Sequence, residues 1–310
     1  MKRLILALAL LLLAGRAEAA DKLTLILDWF VNPDHAPIIV AAQKGYFADA
    51  GLDVEIVPPA DPSDPPKLVA AGKADLAVSY QPSLQIHVSE GLPLVRIATL
   101  ISTPLNCLVV LADGPIKSIK DLKGKKIGFS VAGTEEAILG TILAKHGIAM
   151  KDVEMINVNF ALTPALLTGR VDAVTGAYRN FELNQLALEG KQGRCFYVEE
   201  EGVPVYDELI VVANKAKLAD PKLRRFVDAL ERGVMYLINN PDESWKLFIA
   251  RHKDLNDELN KRAWRDTLAR FDTRPAAMDK GRYERFAAFL KDKGLVKSLP
   301  PLDQYAVELP

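Results

Sequence analysis

The sequence predicts an α/β fold of two lobes, each built on a mainly parallel sheet, with a helical C-terminal part packed on the first lobe. Three observations carry that expectation. Short apolar runs alternate with helical patterns at the pitch of right-handed crossover units, which implies mainly parallel sheets. The string AGKADLAV at Ala71–Val78 is echoed by TGRVDAV at Thr168–Val174, and two lobes on one plan account for the echo, with chance similarity of short αβ turns as the alternative. Beyond Ala213 the pattern turns helical, with no strand longer than a few residues.

Residues 1–20, MKRLILALALLLLAGRAEAA, carry two cations, an apolar run from Leu4 to Ala14 and small residues around Ala17 and Ala19. That is the pattern of a cleavable signal peptide, too short to span a bilayer. The remaining chain is expected outside the cytoplasm, in the periplasm of a cell with two membranes. Leu23–Trp29 reads as a strand apolar on both faces, as in a sheet covered on both sides. Pro37 then opens a helix closed by Gly51, and Val54–Val57 is a second strand. Pro58–Pro66, with five prolines, reads as a rigid loop. Lys67–Ala71 is helical, Leu76–Ser79 a third strand, Pro82 the start of a helix ending at Gly91, and Leu94–Leu100 a fourth strand.

From Asp113 the pattern restarts. It predicts a short helix at Ser118–Leu122, strands at Lys126–Phe129, Val153–Asn157 and Val171–Thr175, and helices at Thr134–His146, Thr163–Thr168 and Asn180–Glu189. Apolar segments at Asn106–Ala112 and Glu208–Ala213 sit at the joins. If both cross between lobes, the second lobe is an insertion, and the crossings form a cleft with a two-stranded hinge. The expected organisation is residues 21–110 as the first part of lobe 1, 111–207 as lobe 2, and 208–310 as the return strand and C-terminal helices of lobe 1. Trp245 and Trp264, in the helical tail, are read as core-packing aromatics.

The chain has 310 residues, 49% hydrophobic and 25% charged, with a formal net charge of -1. Such balance argues against nucleic acid as a partner. Cys107 and Cys195 are the only cysteines; two buried thiols are expected, with a single bridge as the alternative in an oxidising compartment. No two of the four histidines have a ligand-like spacing. There is no nucleophile elbow, P-loop or dinucleotide fingerprint, so neither a cofactor nor an enzymatic activity is expected.

Ligands of open α/β sheets are met beyond the carboxyl ends of the strands. Asp28, Trp29, Asn32 and His35 follow the first strand, and Tyr80 and Gln81 the third. Trp29 and Tyr80 suit the faces of a flat heteroaromatic ligand, while Asn32, His35 and Gln81 offer polar groups to its edge. His35 could equally cap the helix or hold the loop. In the second lobe Gly133 and Thr134 start a helix whose free N–H groups can hold an anion or a carbonyl oxygen. Tyr178 and Glu182 follow another strand and face the cleft from the opposite wall, with a solvated surface glutamate as the alternative for Glu182.

The stretch LDWFVNPDHAPIIVAAQKGYFADAGLDVEIVPPADPSDPPKLVAAGKADLAVS at Leu27–Ser79, with DLKGKKIGF and FELNQLALEGKQGR, resembles the substrate-binding proteins of ABC importers related to eukaryotic thiamine pyrimidine synthase, most closely those that bind formylaminopyrimidine. The resemblance runs from Leu23 to about Leu290. It implies a type II periplasmic-binding fold that closes on a small-molecule pyrimidine, formylaminopyrimidine or a hydroxymethylpyrimidine, and docks on a membrane permease. A monomer is expected. Trp29, Asn32 and His35 match the family's pyrimidine-pocket motif, Tyr80 follows the strand lining it, and Glu182 matches the acidic position of the second lobe. Val131–Thr134 match the loop that holds the cofactor phosphate in the synthase. Where the synthase has its lysine and histidine this chain has Ser79 and Ser83, and the stretch matching its iron motif, Val203–Ala213, holds no cysteine. The alternatives are a synthase-like enzyme or a binding protein for riboflavin, an alkylsulfonate or a nitrogenous aromatic.

Overall fold

The computed structural model describes residues 20–310, so the expected signal peptide lies outside the described residues except for its last position. Two five-stranded sheets organise the chain. The first has the order β2 (Leu52–Val57), β1 (Asp21–Ile26), β3 (Leu76–Ser79), β10 (Leu209–Asn214), β4 (Leu94–Ile101). The second has the order β7 (Glu154–Asn157), β6 (Lys126–Phe129), β8 (Ala173–Tyr178), β5 (Asn106–Leu111), β9 (Gly193–Tyr197). In each, the fourth position is taken by the strand that follows a crossing between lobes, and it runs antiparallel to both neighbours. The other four strands point one way, and three of them make the parallel ladders of each sheet. The sheets are therefore mixed in pairing and mainly parallel in direction.

The echoed strings occupy equivalent places, just before β3 and β8, the third strand of each sheet. Their shared aspartate does the same work twice. Asp75 N–H donates to Thr24 O (3.2 Å) and its Oδ2 accepts from Thr24 N–H (2.9 Å). Asp172 repeats both bonds with Lys126 (2.8 and 2.8 Å). Each aspartate thus clasps the neighbouring central strand where the ladder begins.

Three element boundaries depart from expectation. β1 ends at Ile26, because Asp28 is drawn into contacts with the following helix rather than into a ladder. The helix expected from Pro37 to Ala50 is two, α1 (Ala36–Gln43) and α2 (Tyr46–Asp49), because Gly45 takes a left-handed φ of 74° between them. The proline-rich loop ends early: Pro65 and Pro66 form the first turn of α3 (Pro65–Ala70), where a missing N–H costs nothing. The helix α4 (Gln81–Ser89) follows β3. In the second lobe α5 (Thr134–Lys145), α6 (Leu162–Leu167) and α7 (Glu182–Leu188) fall close to expectation, whereas edge strand β9 had no clear sequence signal.

β5 lies wholly in the second sheet, so the first crossing falls at residues 102–105 rather than after Val110. β10 returns to the first sheet as expected. Glu208 ties the two crossings together, its Oε2 accepting from Leu105 N–H (2.6 Å) and Asn106 N–H (2.9 Å).

The C-terminal helices are α8 (Pro221–Asn239), α9 (Pro241–Arg251), α10 (Glu258–Thr267) and α11 (Lys280–Asp292). α8 lies against α1 so closely that a Cβ at Gly233 would come within 2.6 Å of Pro37 O. Trp245 and Trp264 pack into the lobe 1 core, edge to face at 5.3 Å. The tail is not confined to lobe 1, however. Phe286, Phe289 and Leu290 of α11 join Leu108, Val110 and Ile127 of the second sheet in one cluster, while Tyr283 packs with lobe 1 residues. Bulky aromatics on more than one side of α11 let it bridge the lobes.

Cys107 and Cys195 form a disulfide, not two thiols. Antiparallel pairing sets Cys107 opposite Tyr197 and Val109 opposite Cys195, so the cysteines are diagonal neighbours on one face, 5.4 Å apart at Cα. The unforeseen β9 creates that pairing. Among the described residues no helix is long and apolar enough to cross a membrane.

Candidate functional site

A cavity lies between the two sheets, at the carboxyl ends of β1, β3, β6 and β8. Direct contacts close it. Ser83 Oγ meets Thr134 Oγ1 at 2.7 Å, and Asn180 Nδ2 donates to Asp34 Oδ1 at 2.6 Å, each across the cleft. At its rim Trp29 of lobe 1 meets Phe160 of lobe 2 edge to face at 4.7 Å, and Phe30 meets Phe181 at 5.8 Å.

Seven of the ten expected residues line this cavity: Asp28, Trp29, Asn32, Tyr80, Thr134, Tyr178 and Glu182. His35, Gln81 and Gly133 do not. His35 is fully buried behind the wall. Its Nδ1 accepts from Asn32 N–H (3.3 Å), which leaves Nε2 to donate to Asp28 Oδ1 (2.8 Å) and fixes the tautomer. Gln81 is buried too, its Oε1 accepting from Asp207 N–H (2.8 Å) at the hinge. Gly133 N–H, expected to be free for an anion, donates to the Glu136 carboxylate, and Ala132 N–H donates to Ser63 Oγ (3.3 Å). The helix start is thus partly filled by the protein's own groups.

On the lobe 1 wall Tyr80 O–H donates to Asp28 Oδ2 (2.9 Å), so both oxygens of Asp28 are engaged. Asn32 caps the turn that follows, its Oδ1 accepting from Asp34 N–H (2.8 Å) and its Nδ2 donating to Phe30 O (3.2 Å). On the lobe 2 wall Glu182 is buried at the start of α7 and its Oε2 accepts from Tyr178 N–H (2.6 Å). Tyr178 O–H donates to Glu208 Oε1 (3.3 Å).

Sequence reasoning missed Asp34, Asn106, Glu135 and Glu208, all in the lining. Glu135 directly follows the Gly133-Thr134 helix start, and Glu208 opens the return segment; their positions were the available signals. With them the wall holds five carboxyl groups and no Lys, Arg or His among the lining residues. Burial raises four: Glu135 to about 8, helped by the neighbouring Glu208; Glu208 and Glu182 to about 7; Asp34 to about 6. Burial likewise pushes the Tyr80 and Tyr178 hydroxyls well above their usual range. The arrangement is acceptor-rich, with aromatic faces, and suits a flat ligand bearing several N–H donors.

Two lobes with one topology, crossed twice and closed over an internal cavity, define the periplasmic-binding-protein fold. A solved structure with this fold, the alkanesulfonate-binding protein SsuA from Xanthomonas axonopodis bound to MOPS, superposes with a TM-score of 0.70 at 17% identity, covering 94% of this chain and 98% of that one. Within that fold the chain belongs to the NMT1/THI5-like family, whose model matches residues 32–244. A putative thiamine biosynthesis protein of Haemophilus influenzae is 53% identical over 96% of both chains. The formylaminopyrimidine-binding protein of Halalkalibacterium halodurans is 35% identical over 83% of this chain and 78% of its own. The family also holds enzymes: a 4-amino-5-hydroxymethyl-2-methylpyrimidine phosphate synthase of Saccharomyces cerevisiae is 27% identical over 82% of this chain and 78% of its own.

Proposed function

We propose that this protein is an extracytoplasmic solute-binding protein that captures a thiamine-related pyrimidine, formylaminopyrimidine or a hydroxymethylpyrimidine, and delivers it to an ABC permease. The observation that carries the reading is the aromatic-rimmed cavity between the lobes, whose lining holds five carboxyl groups and no Lys, Arg or His. An aminopyrimidine has flat faces for Trp29 and Tyr80 and an edge of amino and ring nitrogen atoms for Glu182. The names of two relatives, one a formylaminopyrimidine-binding protein, support the same ligand class. Residues 1–20 supply the export signal that this role needs. Ligand bridging Trp29 and Tyr80 to Glu182 favours the closed form, since only contacts made there shift that equilibrium.

An enzymatic role is disfavoured by the serines at the two matching positions. Ser83 is engaged with Thr134, and Ser79 is buried with an unpartnered hydroxyl, so neither supplies an amine or an imidazole. Incubation with pyridoxal phosphate should leave the absorbance spectrum of the protein unchanged. The deciding measurement is calorimetric titration of the purified protein with formylaminopyrimidine and hydroxymethylpyrimidine. Saturable heat with one site is expected; neither heat nor a thermal shift from either compound rejects the ligand assignment.

A further inference from the structure

Glu135 stands apart among the acids of the cavity. It sits in the first turn of α5, is only 6% exposed, and reaches the cavity wall. Its Oε2 takes what the protein offers, Thr175 Oγ1 at 3.2 Å and Asn106 Nδ2 at 3.5 Å. Its Oε1 has no hydrogen bond to any described residue. Space for that oxygen is made by Gly176, whose φ is +82° and where an added Cβ would collide with Glu135 Oε1.

Asn106 holds Glu135 beside a second acid. Its side-chain N–H₂ meets Glu135, its backbone N–H meets Glu208 (2.9 Å), and its Oδ1 accepts from Gly176 N–H (3.1 Å). The two carboxyl groups therefore share one polar scaffold with no basic side chain in the lining. The start of α5, which would otherwise attract an anion, carries Glu135 and Glu136 in its first turn, and Glu136 takes the Gly133 N–H.

We infer that Glu135, held beside Glu208 by Asn106 and Gly176, is a specificity-determining residue that selects ligands with a cationic or multi-donor edge, of the amidine or aminopyrimidine class, and rejects phosphate esters and other anions. The inference rests on the reading that the cleft holds a pyrimidine, and it adds which form of the pyrimidine is taken. Two N–H donors on adjacent ligand atoms meet a carboxylate as a fork. A phosphate monoester brings close to two negative charges to a lining that holds no basic side chain to pair them, and an uncompensated buried charge is strongly disfavoured.

The test compares three probes on the full secreted chain by calorimetry: 4-amino-5-hydroxymethyl-2-methylpyrimidine, its phosphate ester, and benzamidinium, a flat cation unrelated to thiamine. Wild type should bind the alcohol about a hundredfold or more tightly than the ester, and should bind benzamidinium measurably. Glu135→Gln should weaken benzamidinium at least about tenfold and narrow the alcohol-to-ester ratio by a similar factor. Gly176→Ala, which crowds Glu135 without changing charge, should weaken the alcohol but keep the ester excluded, with circular dichroism confirming that both variants fold. If the ester binds wild type within about tenfold of the alcohol, or if Glu135→Gln leaves the ratio unchanged, the inference is overturned while the ligand assignment stands. Glu135-dependent binding of benzamidinium with neither of these pyrimidines nor formylaminopyrimidine bound overturns the ligand assignment and keeps the charge selection. Failure of all three probes and of formylaminopyrimidine overturns both.

Discussion

The two walls of the cavity are built from topologically equivalent strands and differ in what they leave unspent. On the lobe 1 wall Asp28 is engaged at both oxygens by His35 and Tyr80, and Asn32 spends its side chain capping the adjoining turn. On the lobe 2 wall Glu135 Oε2 is held by Thr175 and Asn106 while its Oε1 has no hydrogen bond to a described residue, and Glu182 is held by the Tyr178 N–H. Identical topology has thus produced a scaffold wall whose acid is saturated by the protein and another that keeps an acceptor free at Glu135, the wall to which we assign recognition. A symmetric fold does not imply a symmetric division of labour.

Breaking the scaffold wall should therefore show in stability first. Asp28→Ala removes the acceptor for two buried donors, His35 Nε2 and the Tyr80 hydroxyl. At about 1–3 kcal/mol for each stranded group, the loss is about 2–6 kcal/mol, readable as a lower urea midpoint. An unchanged midpoint with lost affinity would move Asp28 to the recognition side of the comparison. The Cys107–Cys195 bridge makes a second contrast, since it joins two strands of the second sheet only. Its sequence separation of 88 makes it an effective restraint on the unfolded chain, and reduction should cost about 2–4 kcal/mol. Hydrogen exchange should then rise in β5 and β9 and leave β1–β3 protected; uniform loss would show that the lobes unfold as one unit.

On the recognition wall the order of effects reverses. Glu182→Ala should weaken pyrimidine binding by about 1–3 kcal/mol, measured by calorimetry, with little change in the urea midpoint. Burial that pushes its pKa to about 7 shows that the ligand-free protein gains little from its charge.

Much of this was legible in the sequence, and the reasons for the rest are local. Strand β3 was readable to the residue because Gly72 and Tyr80 punctuate it. Asp75 and Asp172 marked the internal repeat because each clasp needs an aspartate at one position after the turn. Trp29, Tyr80 and Glu182 were legible because ligand sites sit after strands. His35 takes the second of its two readings, holding the loop behind the wall, since sequence order cannot tell a wall residue from the one bracing it. Glu208 was missed because the hinge, not a strand end, delivers it to the cavity, and Glu135 because it read as one more acid in a helix's first turn. β9 escaped notice, and without it the Cys107–Cys195 bridge ranked behind two free thiols.

The smallest effect separates the walls by pH. Glu135, Glu182 and Glu208 have folded pKa values of about 8, 7 and 7 against an ordinary 4.5, so the native state holds protons that the unfolded chain has released. Stability contributed by a neutral buried carboxyl is present below about pH 4.5 and is lost as pH rises through the folded value. One buried group works in the opposite direction: His87, lowered from 6.5 to about 4, gains stability as pH rises but has finished doing so near 6.5. Between about pH 6.5 and 8 these three acids therefore dominate, and the melting temperature of the ligand-free protein should fall across that interval. Glu135→Gln should flatten the slope, since the amide stays neutral throughout. A slope that Glu135→Gln leaves intact would mean that the free acceptors of lobe 2 are solvated rather than held in a dry cavity, and the contrast between the walls would lose its electrostatic half.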